Sequence, residues 1–170
     1  MIRKIVRIVL LVAIVGACLI AVIIGYYVYQ RNAETTNFIL YHPSRQYNTI
    51  WKTAENDIVF IVGDKEDENS FHAFALYDGE YIEVNLDCDY GQNAKISIPN
   101  DNTTGGNKDL CLIFGKYQVF PDCFLIEVDK NRSPSAFVGK RDTIIFQRFF
   151  INDAEEDSEL KQIVSGLMGK

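Results

Sequence analysis

The sequence predicts a mainly β protein: one N-terminal transmembrane helix, then an antiparallel β-meander sheet or small barrel with a short C-terminal helix. Two observations support this. Residues 8–28 contain no charged side chain. From Ile50 onward, short runs rich in Val, Ile, Phe and Tyr recur about every ten residues, which is the pattern of an antiparallel sheet. The chain has 170 residues, 48% of them hydrophobic and 24% charged, which excludes a disordered chain and a multidomain enzyme.

The N-terminal apolar segment has the length of a membrane span. As a helix, its 21 residues cover about 31 Å, against about 30 Å for the hydrocarbon core. Thirteen of them are Ile, Leu or Val, which corresponds to an insertion free energy of about −5 kcal/mol. The expected anchor residues include Ile8, Leu10, Leu11, Leu19, Ile23 and Val28. The expected interfacial residues are Arg3, Lys4, Arg7, Tyr26, Tyr27 and Tyr29.

Two alternatives for this segment stay open beside an uncleaved signal-anchor. A cleaved signal peptide would fit the basic N-terminus, but its apolar core is shorter and ends at a small-x-small site. A lipobox at Val15-Gly16-Ala17-Cys18 would make Cys18 a lipidated residue, but eleven mostly apolar residues would then follow it. We therefore expect the anchor to be retained.

Charge predicts the orientation and excludes some partners. Three basic residues precede the span, so the N-terminus is expected to be cytoplasmic and the C-terminal domain extracytoplasmic in the cell membrane. Residues 31–170 hold 14 basic and 23 acidic side chains, a net charge of −9. An acidic domain is repelled by phosphate backbones, which disfavours nucleic acid as a partner.

These features predict four regions. They are a cytoplasmic stub at 1–7, the anchor at 8–29, an irregular tether at 30–49 and an extracytoplasmic β domain at 50–170. No βαβ alternation appears, so a parallel sheet is not expected. Gly79 in Asp78-Gly79-Glu80 gives the best hairpin signal, because a tight turn needs positive φ there. The seven predicted strands are Ile58–Val62, Phe71–Tyr77, Tyr81–Leu86, Ala94–Ile98, Leu110–Phe114, Cys123–Val128 and Thr143–Phe150.

One amphipathic helix is predicted at 153–166, near the C-terminus. Asn152 or Asp153 would cap it, and the acidic residues that follow favour the positive end of the helix dipole. Its apolar stripe is expected to cover the sheet; the alternative is that it docks on a partner protein. The stripe consists of Leu160, Ile163, Val164 and Leu167.

Trp51 opens the predicted sheet, and the meander Ile58–Ile98 follows it. Next come the segments CLIFGKYQVFPDCFLIEVD (Cys111–Asp129) and DTIIFQRF (Asp142–Phe149), with Ile144-x-Phe146-x-Arg148 near the end. In this arrangement the β region resembles a group of uncharacterised small envelope proteins of Gram-positive bacteria, whose outer part is similar to a lipocalin-like β-meander. It covers residues 50–150. The resemblance implies a curved sheet or small barrel, and it transfers no site residues.

The cysteines allow one disulfide and no zinc site. Cys111 and Cys123 lie on adjacent predicted strands, so a bridge between them is one alternative, and free thiols in their strands are the other. Cys88 would be left over. No C-x-x-C or nearby histidine completes a zinc-binding set.

No catalytic constellation stands out, so a non-enzymatic protein without a cofactor is expected. His42 falls in the tether and His72 in a strand, without H-E-x-x-H or G-x-S-x-G. Asp87-Cys88-Asp89 has the form of a phosphotransferase D-x-D, but hairpins flank it rather than a parallel α/β sheet. The acidic loops at 64–68 and 100–109 lack the EF-hand spacing.

The resulting functional hypothesis is a membrane-tethered interaction or structural module of the cell envelope, with an envelope protein as its partner. The alternative is a lipocalin-like carrier or sensor of a small apolar ligand. A barrel of about eight strands can enclose such a ligand, whereas a smaller one fills itself with side chains. Seven predicted strands favour a packed core.

The domain boundaries predict that a shortened chain of residues 38–170 is a folded, soluble domain. Circular dichroism should show a β spectrum and a cooperative thermal transition, because the whole predicted sheet is retained. The full-length chain without detergent is the comparison, and it should aggregate through its anchor. Aggregation of the shortened chain as well would contradict these boundaries.

Overall fold

The structure is a computed structural model that describes residues 2–67, 69–89, 93–99, 109–151 and 158–168. It divides into two compact units, Met1–Thr36 and Asn37–Lys170. The first helix, α1 (Ile2–Tyr41), runs through the first unit and ends in the second. The boundary therefore falls close to the start of the shortened chain proposed above.

Between Leu10 and Val28, α1 carries apolar residues on all sides. It is the one helix in the described ranges that is long and apolar enough to cross a membrane, with a candidate span of Leu10–Tyr41. Five of the predicted anchor side chains are at least half exposed, as a helix surrounded by lipid requires; they are Leu10, Leu11, Leu19, Ile23 and Val28. Tyr26, Tyr27 and Tyr29 are also exposed, and the Gln30 side chain donates to the Tyr26 hydroxyl at 2.8 Å.

The second unit contains a nine-stranded antiparallel sheet that curls into a nearly closed barrel. Its order is β4-β3-β2-β1-β9-β8-β7-β6-β5, and the first and last strands of that order are joined by Val84 alone. The strands are β1 (Thr49–Lys52), β2 (Ile58–Val62), β3 (Phe71–Tyr77), β4 (Glu80–Glu83), β5 (Asn85–Cys88), β6 (Asn93–Ile98), β7 (Leu110–Val119), β8 (Cys123–Val128) and β9 (Thr143–Phe150).

This architecture confirms the predicted fold class. Four strands have the predicted bounds: β2, β3, β8 and β9. The Asp78-Gly79 turn is also as predicted, with φ of 52° and 86° at its two central residues. The count of seven strands was wrong for two reasons. The short β1 was read only as the opening of the sheet, and the run at 81–86 bends at Val84 into two strands.

Aromatic rings fill the centre of the barrel. Phe60 stacks on Phe146 with 4.6 Å between the ring centroids, and Phe124 lies 5.5 Å from Phe146. These three side chains and Trp51 have no solvent exposure. Since alternate residues of every strand point inward, strands from both halves of the sheet contribute to one core.

Two further α-helices are present in the described part of the unit. α2 (Ser135–Val138) is a single turn between β8 and β9. α3 (Ser158–Met168) packs Val164 and Leu167 on the outer face of β1 and β2, against Ile50, Val59 and Ile61. These two residues of the predicted stripe therefore cover the sheet, and the side chains of Leu160 and Ile163 are not described. The described helix starts at Ser158; the predicted start at 153 and the proposed caps at 152 and 153 lie outside the described residues.

The irregular tether predicted at 30–49 was wrong for its first part, because α1 continues to Tyr41. No proline or glycine interrupts residues 26–42, and the helix stops before Pro43, which disfavours helical backbone at His42. A 3₁₀ turn (Pro43–Arg45) follows. Phe38 and His42 are both more than 90% buried, so the segment of residues 37–45, which we call the plug, belongs to the folded domain.

Gly115 provides a test of the barrel. A Cβ at this position in β7 would lie 2.0 Å from the Glu127 carbonyl oxygen of β8. We expect Gly115→Ala to lower the free energy of unfolding by about 3 kcal/mol, because two paired backbones must separate. Chemical denaturation followed by circular dichroism measures this. Gly63→Ala is the matched control, since its Cβ would make only ordinary contacts at 3.6 Å; equal losses in both variants would contradict the barrel register.

Candidate functional site

A cleft of about 650 Å³ lies between the plug and the hairpin formed by β5 and β6. This volume is within the usual range of small-molecule and peptide-side-chain sites, roughly 300–1,000 Å³. The plug lines one side with Phe38, His42, Ser44 and Arg45. Strands β5 to β7 and the β5–β6 turn line the other with Leu86, Asp87, Cys88, Asp89, Asn93, Lys95 and Phe114.

Interior aromatic contacts position the plug. The Phe38 ring lies 5.7 Å from the Tyr117 ring of β7, and the His42 ring meets Phe124 edge-on at 6.2 Å. The Tyr117 hydroxyl in turn donates to the Asp89 carbonyl at 2.9 Å. One β7 side chain therefore touches both sides of the cleft, which fixes the plug relative to the β5–β6 hairpin.

His42 is a buried hydrogen-bond donor without a described acceptor. The Ser44 backbone N–H donates to its Nδ1 at 3.3 Å, so the neutral ring carries its proton on Nε2. Nε2 is buried and has no hydrogen-bond partner among the described residues. Burial, and then the positive charge of Arg45, lowers the His42 pKa to about 4, so the ring is neutral at pH 7.

The thiol of Cys88 is unreactive in this setting. Burial, followed by the carboxylates of Asp87 and Asp89, raises its pKa to about 12. Burial also raises the pKa of Cys111 and of Cys123, the latter with a contribution from Asp122. Since the thiolate is the nucleophilic form, none of these three cysteines is prepared for nucleophilic catalysis.

Of the two alternatives for Cys111 and Cys123, the structure contradicts the disulfide and agrees with free thiols. Both residues lie on paired strands, as expected, but Val119 is opposite Phe124 and Gly115 is opposite Val128. Cys123 is therefore next to the turn, and Cys111 is at the far end of β7, on the order of 25 Å away at 3.3 Å per residue. A disulfide needs Cα atoms within about 7 Å, and all four cysteines are free.

The remaining candidates do not converge on a reaction centre. His72 lies on the outer face of β3, 3.4 Å from a Glu83 carboxylate oxygen. Among the residues that the structure describes, no group of three or more His, Cys, Asp or Glu side chains could hold a metal ion. Most of the acidic loop at 100–109 lies outside them. Side chains of the interfacial residues Arg3 and Lys4 and of anchor residue Ile8 are not described either.

The cleft itself was missed by sequence reasoning. In the sequence, Asp87-Cys88-Asp89 shows only a D-x-D pattern, and His42 falls in the predicted tether. The signal that could have located the plug is the island Phe38–Tyr41, an apolar patch too short to be an element and followed directly by His42-Pro43. Its partner strands are more than 40 residues away.

Comparison with protein-family models, curated proteins and solved structures finds no match to this chain.

His42 predicts a specific pH dependence of stability. Its pKa is lowered in the folded state, so the unfolded state binds more protons between about pH 4 and pH 6.5. The contribution of His42 to the free energy of unfolding is complete above pH 6.5 and is lost as the pH falls towards 4. The total loss is about 3 kcal/mol. Urea denaturation at each pH should show this loss.

The histidine variants separate this effect from general acid denaturation. His42→Gln should flatten the pH dependence between pH 6.5 and pH 4.5, where most carboxylates are still ionised. His72→Gln, on the outer face, is the matched control and should keep the full slope. Equal slopes in the unmodified protein and in His42→Gln would show that His42 does not titrate as a buried group.

Proposed function

We propose that this chain is an integral membrane protein with a non-enzymatic β domain, which serves the cell envelope as an interaction or structural module outside the membrane. The observation that carries the proposal is the filled barrel centre, where Trp51, Phe60, Phe124 and Phe146 have no exposure. A barrel whose centre is filled with side chains has no room for an enclosed ligand there, so its surface is left to bind other molecules.

The anchor and the charge distribution support the location. The candidate span in α1 lies close to the N-terminus, after Arg3, Lys4 and Arg7, and the positive-inside rule then puts the β domain on the opposite side from the cytoplasm. The net charge of −9 in residues 31–170 favours a cationic partner over nucleic acid. The resemblance to Gram-positive envelope proteins is consistent with this proposal.

A carrier or sensor of a small apolar ligand is the second candidate function, and the cleft favours it. Phe38, Leu86 and Phe114 contribute apolar surface to a volume that such a ligand could occupy. The same lining includes Arg45, Asp87, Asp89 and Lys95, a mixed charge pattern that suits a polar partner better than an apolar molecule. We therefore rank the interaction module first.

Cross-linking in the native membrane tests the leading proposal. The full-length tagged protein should yield one stoichiometric envelope protein after affinity purification and mass spectrometry. The matched control joins residues 1–36 to an unrelated soluble domain, which keeps the anchor and removes the β domain; the partner should then be lost. Recovery of the protein alone, or of the same partner on the anchor control, would overturn the proposal.

A further inference from the structure

Strand β5 has one edge without a neighbouring strand. It stands at the end of the strand order and pairs with β6 alone among the described strands. The strand on its other side would be β3, but the β3 ladder ends where the Val84 N–H donates to the Ala73 carbonyl at 2.8 Å. Beyond Val84, β5 leaves β3 and lines the cleft.

The backbone groups along this edge can be assigned from the hydrogen-bond pattern. The Asp89 N–H donates to the Asn93 carbonyl at 2.9 Å, so Asp89 faces β6 with its backbone groups. Backbone direction alternates along an antiparallel strand, so Asp87 also faces β6, whereas Leu86 and Cys88 point their N–H and C=O to the open edge. Val84 lies two residues before Leu86 and also points its N–H away from β6, towards β3, which supports the assignment.

Side chains beside this edge divide into two rows. Leu86 and Cys88 face the core side and pack against the core cluster. Asp87 and Asp89 alternate with them on the opposite face, and both are exposed. A strand added here would therefore meet an apolar row on one face and an acidic row on the other.

No ion pair to Asp87 or Asp89 is present in the described part of the chain. Lys95 is opposite Asp87 in the β5–β6 register, but its ammonium lies 3.5 Å from a carboxylate oxygen of Asp109. Arg45 adds a positive charge on the other side of the cleft. The row that a new strand would meet therefore offers two carboxylates without a described ion pair.

We propose that β5 binds an extended segment of a partner protein as an added antiparallel strand, and that this segment alternates basic and apolar side chains. Its apolar residues lie opposite Leu86 and Cys88 and exchange backbone hydrogen bonds with them. Its basic residues share the face of Asp87 and Asp89. Strand addition of this kind takes affinity from the backbone and specificity from alternate side chains. The inference rests on the proposed function, because it names the surface and the partner chemistry of that module.

A set of peptides tests this pairing directly. The probe is fluorescein-labelled acetyl-Lys-Val-Lys-Val-Lys-Val-amide, added to the full-length protein in detergent micelles and followed by fluorescence anisotropy. N-methylation of the valine amides removes the donors that face β5 and should abolish binding. N-methylation of the lysine amides, which point away from β5, should leave binding within about twofold. Hydrogen exchange at Leu86 and Cys88 should slow when the unmethylated peptide is bound.

Charge variants test the acidic row. The double variant Asp87→Asn with Asp89→Asn should weaken peptide binding by about fivefold or more at low salt. The matched control is Asp78→Asn with Glu80→Gln, which removes two exposed charges at the β3–β4 turn and should leave binding unchanged. A peptide of the same composition in blocks, Lys-Lys-Lys-Val-Val-Val, should not bind.

The outcomes separate this inference from the proposed function. Equal binding of the block peptide or of both methylated peptides would show general electrostatic attraction, and would overturn strand addition at β5. Absence of peptide binding, with a stoichiometric partner still found by cross-linking, would overturn this inference and leave the interaction module standing. Binding of the alternating peptide, with no partner recovered from the membrane, would support strand addition at β5 and contradict the proposed interaction module.

Discussion

The domain depends on one aromatic cluster at the centre of the barrel. Phe60 from β2 and Phe146 from β9 stack on each other, and Phe124 from β8 contacts both. These strands lie up to 86 residues apart in sequence. Burying rings that each remove roughly 150–250 Å² from water stabilises the closed arrangement far more than an exposed ion pair such as Lys130–Asp142. Closure through the β1–β9 pair brings the rings together, and the rings in turn hold that pair closed.

The plug extends the same cluster to one end of the barrel. Phe38 and His42 reach Tyr117 and Phe124, so the last turn of α1 and the residue that follows it are part of the core. Burial of a histidine is tolerated there because the ring is neutral at pH 7 and its Nδ1 accepts the Ser44 N–H. Nε2 is left without a hydrogen-bond partner among the described residues, and the lowered pKa of His42 predicts that stability falls on acidification. The end of α1 packs on the core and also lines the cleft, so its position helps to define the shape of the cleft.

Much of the fold could be predicted because strand patterns are local. The alternation in Phe124–Val128 and the Asp78-Gly79 turn are visible in short windows, and both are present in the structure. The plug and the cleft could not be predicted in the same way. Residues 30–41 are polar enough to suggest a tether, and only tertiary contacts to β7 and β8 show that Phe38 is a core residue. The question of a Cys111–Cys123 disulfide stayed open in the sequence for a related reason, since adjacent strands were foreseeable but their register was not.

The bend at Val84 explains why a nearly closed barrel still has an available edge. Val84 is buried and bonded to β3, so the chain is held there, while the next residues turn to pair with β6. An open edge invites pairing with other chains, and proteins commonly protect such edges with charges. Asp87 and Asp89 supply that protection, because an identical acidic edge from a second copy would be repelled. The same two carboxylates would attract a strand that carries lysine or arginine at alternate positions. Protection from self-association and selection of a basic partner therefore follow from one pair of side chains.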